Sequence, residues 1–199
     1  MHGMDRQEEQ DVIAQVRRGE RAAFAALVDA YAKPIFNLAF RMTGNRQDAD
    51  DLAQETFLRA YRKLKRFDPE KKFFTWLYTI ALNIIRNHLK SSPERTARIA
   101  EMAHPPSDPV DPANPEGLFL DREKAQLLEI CLQKLPSELK EAVVLRYYQD
   151  LSFDEIATIT DASVSAVKMR AYRGLERLRA LMSERVRPTS RRATPPGPG

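Results

Sequence analysis

The sequence has little of what several common function classes need. It contains one cysteine, Cys131, so no internal disulfide can form, and we expect this thiol to be buried because it lies in an apolar register. Three scattered histidines lack paired ligand spacing, and there is no phosphate-binding glycine loop, so we expect no zinc site and no cofactor. No apolar run reaches the roughly eighteen residues of a membrane span. The first ten residues are polar, without a secretory signal, so we expect a cytoplasmic protein without membrane insertion.

Positive charge is unevenly distributed, although the net charge is only +4. Residues 59–90 carry nine basic and two acidic side chains, and residues 164–192 carry the same numbers. Each region therefore has an excess of seven positive charges. Two separate basic regions suggest two contacts with one polyanion.

Apolar spacing predicts an all-α fold with two small helical domains, at 1–92 and 118–186. Six prolines between 93 and 117 indicate a flexible linker that can hold the domains well apart, and residues 187–199 read as a disordered tail. Within the first domain, Gly19, Pro34 and Gly44 are expected to break or kink the helices. Asp48 is expected to cap the helix that follows Gly44.

An acidic helix is followed directly by a basic, aromatic one. Asp48, Asp50, Asp51 and Glu55 fall in the first turns of the former, where the helix dipole favours negative charge. In the latter, polar residues recur every fourth position and form one stripe on an otherwise apolar helix. The stripe consists of Thr75, Thr79, Asn83 and Asn87. The reversal of charge suggests two different partners.

The second domain contains a predicted helix-turn-helix. Ser152 and Glu155 form a capping box, Asp161 stands in the turn, and Ser163 can cap the second helix. Apolar residues at spacings of three or four leave a polar and basic face outward, as in a helix that reads the major groove. The outward residues are Ser165, Lys168, Met169, Tyr172 and Arg173.

With these motifs in this order, the chain resembles the extracytoplasmic-function sigma factors of bacterial RNA polymerase. The segments that carry the resemblance are DADDLAQETF, FFTWLYTIALN and LSFDEIATITDASVSAVKMR. The resemblance covers roughly 24–89 and 135–181, separated by the proline-rich linker. It implies a protein without catalytic residues that binds core polymerase, directs it to specific promoters and assists melting.

The resemblance also implies roles for matching positions. Asp51, Gln54 and Glu55 match the region that docks on the clamp coiled coil of the polymerase's largest subunit. Residues 66–87 match the part that melts and reads the start-proximal promoter element, with Asn83 and Asn87 at base-reading positions. The candidate residues for this element are Arg66, Phe67, Lys71, Lys72, Phe73, Phe74, Asn83, Arg86 and Asn87.

Side-chain chemistry is consistent with this division. Lysine and arginine mainly neutralise phosphate, asparagine can contact a base edge, and aromatic rings near the loop could hold an unstacked base. By resemblance, the outward residues of the helix-turn-helix read the distal promoter element. Met169 stands where the family commonly has a small polar residue. The resemblance also implies contact with the flap of the second largest subunit, and regulation by an anti-sigma factor.

Two other functions fit parts of the sequence. A regulator could bind DNA through 152–178 alone, which would leave the acidic-to-basic reversal unexplained. A metal enzyme could use Asp50, Asp51 and Glu55 as ligands, but no second carboxylate cluster at matching helical spacing faces them.

Overall fold

Four α-helices build the first domain in the computed structural model, which describes residues 4–91 and 115–186. They are α1 (Arg6–Arg17), α2 (Phe24–Thr43), α3 (Arg46–Lys63) and α4 (Phe73–Ser91). Short 3-10 turns at Arg21–Ala23 and Leu64–Arg66 connect them. The predicted linker lies outside the described residues except for its last three positions, and the predicted tail lies outside them entirely.

Most helix boundaries in this domain follow the local sequence signals. Gly44 ends α2 in the left-handed conformation, with φ of 72°, and Gly19 also has positive φ. The prediction that Asp48 caps α3 was wrong. Asn45 is the cap, and its side chain accepts a hydrogen bond from the Asp48 amide. Pro34 does not end a helix either, since α2 continues through it to Thr43.

The core of the first domain lies between α2, α3 and α4. Leu27, Ile35 and Leu38 of α2 are fully buried, as are Leu77 and Leu82 of α4. The helical stretch Arg21–Thr43 is long and apolar enough to cross a membrane by length and composition alone. Its apolar residues instead contribute to the centre of this helical core, as expected for an amphipathic helix of a small domain.

The second domain contains α5 (Pro115–Gln133), α6 (Ser137–Val143), α7 (Phe153–Thr160) and α8 (Val164–Val186). A π-helical turn at Val144–Tyr148 follows α6, and α5 begins at Pro115, within the segment predicted as linker. The capping box of Ser152 and Glu155 is present, and Asp161 adopts the left-handed conformation with φ of 54°. Ser163 Oγ accepts from the Ala166 amide, so the predicted turn chemistry is confirmed. Cys131 is buried, as expected.

The two domains pack against each other in this structure, although the predicted linker is long enough to hold them well apart. Helix α7 lies against α4, and α5 lies against α2. The Gln133 side-chain amide donates to the Arg41 carbonyl at 2.9 Å, and Lys140 Nζ donates to the Met42 carbonyl at 3.3 Å. Both groups satisfy carbonyls in the last turn of α2, where a cation is favoured by the helix dipole.

Candidate polymerase-docking and promoter-binding surfaces

The acidic face of α3 presents the predicted docking residues to solvent. Asp51 and Gln54 are exposed, and Glu55 is half-exposed and pairs with Arg59 one helical turn further on. Since Asp51 and Gln54 project into solvent, this face can meet a partner without rearrangement.

An apolar groove with a volume of about 700 Å³ runs beside this face, between α2 and α3. Its lining includes Phe24, Phe36, Phe57, Leu58 and Tyr61, with Asp50 and Gln54 on its edge. Leu58 is 57% exposed, which is unusual for a large apolar side chain on a charged helix. The sequence analysis missed this groove. The sequence feature that could have predicted it is a pair of large apolar residues, Leu58 and Tyr61, three positions apart on an otherwise polar face of α3.

The four basic residues of the predicted start-proximal surface fall into two groups, one exposed to solvent and one paired with carboxylates. Arg66 and Lys71 are exposed. Lys72 Nζ lies 2.8 Å from Glu155 Oε1, and Arg86 forms a two-pronged pair with Glu141, with distances of 2.9 and 2.6 Å. Both carboxylates belong to the second domain.

These pairs affect the protonation of their members. The hydrogen bonds that Arg86 donates to Glu141 raise the pKa of the guanidinium, so its positive charge is permanent. For Glu155, partial burial opposes ionisation, but the hydrogen bonds from Lys72 and Ser152 outweigh it and lower the pKa of the carboxyl. Arg86 and Glu155 are therefore both charged at neutral pH.

The polar stripe of α4 is split into two parts. Asn83 and Asn87 are exposed and free to approach a base. Thr75 is buried, and the Thr79 hydroxyl donates to the Thr75 carbonyl at 2.8 Å, within the helix. The threonines lie on the side of α4 that faces α7, so only the asparagine half forms an open surface.

The aromatic residues of this region do not all lie where a base could reach them. Phe67 and Phe73 are 3% and 1% exposed and pack edge-to-face, with Phe67 also against Trp76 and Phe73 against Tyr31. This burial corrects the prediction that these two rings hold an unstacked base, because they close the core where α4 begins. Phe74 remains partly exposed, and the Lys72 ammonium lies 5.5 Å from its ring centre.

The exposed side of α8 carries every residue that the sequence predicts to point outward. Ser165, Lys168, Met169, Tyr172 and Arg173 are all exposed. On the opposite side, Val167, Ala171 and Leu178 are buried against the rest of the domain. The exposed face therefore carries the hydrogen-bonding and basic groups together, in the arrangement that suits a major groove.

Phe153 supports this face from the neighbouring helix and was missed as a functional residue. Its ring lies 6.4 Å from that of Tyr172 and 5.7 Å from the Lys168 ammonium. The Arg146 guanidinium lies 5.2 Å from the same ring. The sequence marks Phe153 only as an apolar helix residue. Its contacts with α8 depend on how the two helices cross.

Fold and surfaces together define a helical DNA-binding protein with a helix-turn-helix and a separate, exposed acidic face. Across residues 4–91 and 115–186, no group of three or more His, Cys, Asp or Glu side chains is arranged to hold a metal ion.

Family models match both domains. The model of Sigma-70 region 2 matches residues 27–93, and that of Sigma-70 region 4 matches residues 125–178. The RNA polymerase sigma-H factor of Pseudomonas aeruginosa is 35% identical over 179 residues, which cover 87% of this chain and 93% of that protein. The ECF RNA polymerase sigma factor SigW of Bacillus subtilis is 36% identical over 173 residues, covering 84% and 92%. The sigma-E factor of Escherichia coli K12 is 33% identical over 199 residues, covering 92% and 97%.

Two solved structures share the fold of this chain. CnrH in complex with the cytosolic domain of CnrY has a TM-score of 0.66 and 26% identity, covering 89% of this chain and 98% of that one. RpoE of Bartonella quintana, solved with the anti-sigma factor NepR, shares the fold, with a TM-score of 0.58 and 23% identity over 80% and 96%. The chain belongs to the ECF family of RNA polymerase sigma factors. It is a sigma factor, a subunit that directs RNA polymerase to promoters.

Proposed function

We propose that this chain docks on core RNA polymerase through the acidic face of α3 and reads promoter DNA through two separate surfaces. The clamp coiled coil of the largest subunit contacts Asp51, Gln54 and Glu55, and the flap of the second largest subunit contacts the second domain. The exposed groove beside α3 supports this assignment, because an apolar groove with a polar edge is suited to a partner helix. The protein works in the cytoplasm and supplies no catalytic group.

The two DNA surfaces have different tasks. Asn83 and Asn87 contact base edges of the start-proximal element, while Arg66, Lys71, Lys72 and Arg86 neutralise phosphates. Of the three candidate phenylalanines, Phe74 is the one exposed enough to stack on an unpaired base. The distal element is read by the exposed face of α8. The observation that carries the proposal is this face, since all its candidate residues are exposed while Val167, Ala171 and Leu178 on the opposite side are buried.

Energetics explain why the polymerase is needed. Opening four base-pair steps costs roughly 6 kcal/mol, at about 1.4 kcal/mol per step. A stacked base returns about 1 to 3 kcal/mol. One captured base therefore does not sustain melting, and we expect the isolated chain to bind promoters weakly.

An anti-sigma factor is the proposed regulator. Two of the similar solved structures contain a sigma-type chain held by a second protein, CnrY in one and NepR in the other. The α2–α3 groove and the acidic face of α3 are the surface that both polymerase and such an antagonist would need. Competition between them would switch the sigma factor off.

Run-off transcription with purified core polymerase on a library of promoter fragments tests the proposed function. We expect a defined subset of fragments to be transcribed only when the chain is present, and this subset to be lost with Asp51→Lys. Transcription that is independent of the chain would contradict the proposal. A chain that binds DNA but never forms a stoichiometric complex with polymerase would instead be a regulator acting through the helix-turn-helix alone.

A further inference from the structure

Helix α1 lies along the loop that joins α3 to α4, which we define as residues 64–72. Positions 6, 10, 13 and 17 of α1 recur at spacings of three or four, so they share one face of the helix. Three of them carry hydrogen-bond donors, Arg6, Gln10 and Arg17, and Ile13 between them is buried. The loop carries cations of the proposed start-proximal surface, so this inference rests on the function proposed above.

Arg17 holds the first half of the loop. Its guanidinium donates to the Leu64 carbonyl from Nε and Nη2, at 3.3 and 3.2 Å, and Nη2 also donates to the Phe67 carbonyl. Leu64 and Phe67 are 1% and 3% exposed, so the backbone that Arg17 holds lies beside the core. One charged donor group thus fixes the loop at two points three residues apart, and hydrogen bonds from a charged donor are among the stronger ones.

Gln10 and Arg6 hold the second half of the loop. Gln10 Nε2 donates to the Pro69 carbonyl and Arg6 Nη2 to the Glu70 carbonyl, both at 3.3 Å. The acceptors advance along the loop as the donors go back along α1, so the helix and the loop run antiparallel. Within the loop, the Glu70 amide donates to Asp68 Oδ1 at 3.1 Å, which shapes the turn locally. The bonds from α1 are the ones that tie this turn to another helix.

The opposite side of α1 is anchored to the core. The Tyr31 hydroxyl of α2 donates to the buried carboxylate of Glu9, and the Tyr31 ring packs on Phe73 with ring centres 5.7 Å apart. Ile13 belongs to the same buried cluster as Leu64. A helix of twelve residues is marginal on its own in water, so α1 depends on these contacts. Because α1 is fixed to α2, it can hold the loop in one place relative to the core.

The bonds from α1 use only backbone carbonyls of the loop, so cationic side chains of the loop keep their donors for another partner. Arg66 and Lys71 are exposed, and the residue next to each of them is held by α1 through its carbonyl. A phosphate contact positions a protein on DNA, so its value depends on where the cation stands. We propose that α1 positions the start-proximal surface: its three donors hold the loop in the course that places Arg66 and Lys71 against the promoter backbone.

The size of the effect follows from the fraction of molecules in which the loop is correctly placed. A loop without these bonds samples several courses, and the apparent affinity for DNA falls by the fraction that remains competent. If release of the loop leaves about one molecule in ten competent, DNA binding weakens about tenfold. The three donors therefore act on DNA binding without touching DNA.

Release of the loop can be measured without DNA. Hydrogen exchange, followed by mass spectrometry on the full chain, reports local opening through the loop amides, among them Lys71, which donates to the Asp68 carbonyl at 3.1 Å. Arg6→Met with Arg17→Met removes both guanidinium groups and keeps an unbranched apolar stem at each position. We expect faster exchange over 64–72 in this double variant, while peptides from α2 and α8 stay protected.

Arg18→Met with Arg21→Met is the matched control. It removes the same charge from two exposed positions next to α1, and Arg18 pairs with Glu20 instead of the loop. Exchange over 64–72 should stay at the level of the unaltered chain. Arg17→Lys, which keeps a charged donor at that position, should restore part of the protection that Arg17→Met loses.

Binding of the holoenzyme to a promoter fragment obtained from the run-off selection distinguishes positioning from direct contact. The variant of Arg6 and Arg17 should bind about tenfold more weakly than the control. Lys71→Ala should cost less in this variant than in the unaltered chain, because the cation is already misplaced. Arg173→Ala on α8 should multiply its loss in full, since it acts at a separate surface.

Exchange over 64–72 equal to that of the control would overturn the bracing of the loop. Losses from the α1 variant and from Lys71→Ala that multiply in full would overturn the positioning and make the α1 arginines independent DNA contacts. Thermal melting checks the fold. If the double variant melts early, Arg6→Met with Gln10→Leu is compared, with faster exchange expected in the second half of the loop. Failure of the proposed function would show separately, because no promoter fragment would be selected while the exchange result stands.

Discussion

The hydroxyl of Tyr78 donates a hydrogen bond to Gln149 in the interior of the protein, although the two residues belong to different domains. Burial raises the pKa of Tyr78, which keeps the phenol neutral and able to donate. Because an unpaired polar group is costly to bury, this bond fixes how the domains meet. The contact between the domains is therefore specific in geometry.

Charge reversal at Asp51 should abolish docking on core polymerase. Asp51→Lys places a cation on the exposed acidic face of α3, so we expect at least a tenfold loss of affinity, about 1.4 kcal/mol, with an unchanged melting temperature. Glu176→Lys, an exposed reversal on α8, is the matched control. Normal assembly of the Asp51 variant with polymerase would disprove the docking assignment.

Asn87→Ala should change which start-proximal bases are preferred. Loss of a good base contact removes about 1 to 3 kcal/mol of discrimination at one position. Lys71→Ala, by contrast, should weaken all promoters evenly, because a phosphate contact carries no sequence information. Sequencing transcripts from a randomised promoter library distinguishes the two variants. An unchanged profile for Asn87→Ala and Asn83→Ala would mean that these asparagines do not read bases.

Arg173→Ala should impair DNA binding, whereas Val167→Asp should impair folding. Arg173 is exposed on α8, so its loss should reduce protection of the distal element in footprinting with little change in melting temperature. Val167 is 1% exposed, and a carboxylate there should unfold the second domain. Intact distal protection by the Arg173 variant would remove the main support for α8 as the recognition helix.

Gly174→Ala should destabilise the second domain, although alanine favours a helix more than glycine does. A Cβ at this position would lie 2.5 Å from Val143 Cγ2 and 3.2 Å from the Leu139 carbonyl oxygen. Overpacking of this kind costs about 1 to 3 kcal/mol, more than the gain in propensity. Chemical denaturation should show that Val143→Ala and Gly174→Ala together cost less than the sum of each alone, because the first change removes the clash. Additive costs would contradict this account of the α6–α8 contact.

Stability should rise between pH 8 and pH 10 because of Lys140. This residue is 4% exposed, and burial lowers its pKa from 10.5 to about 8, against the opposing influence of Glu129. In this window the unfolded chain holds a proton that the folded chain has released, so the free energy of unfolding increases with pH, by at most roughly 3 kcal/mol. Below pH 8 the group adds no slope. Above pH 10, ionisation of tyrosines in the unfolded chain would act in the opposite direction.

Lys140→Met provides the comparison. Its unfolding free energy, measured in urea at several pH values, should lack the rise between pH 8 and pH 10. Equal slopes in the two proteins would show that Lys140 does not titrate in this window.

The sequence by itself determined the helical character of both domains, the caps of α7 and α8 and the outward face of α8. Ser152 with Glu155, and Asp161 in the turn, act through neighbours within a few residues, so their effect can be predicted without tertiary structure. Apolar periodicity likewise fixed which residues of α8 point inward, since a helix presents every third or fourth residue on one side. The ordered motifs were enough to indicate the family.

Only the tertiary structure decided which candidate side chains are available to a partner. Phe67 and Phe73 are aromatic residues of the kind that stack on bases, but they lie in the core, because α2 and α4 close over them. Lys72 and Arg86 look like free cations in the sequence, yet each meets a carboxylate from the second domain. Local sequence cannot encode such pairs, because they depend on how two domains, far apart in the chain, come to rest against each other.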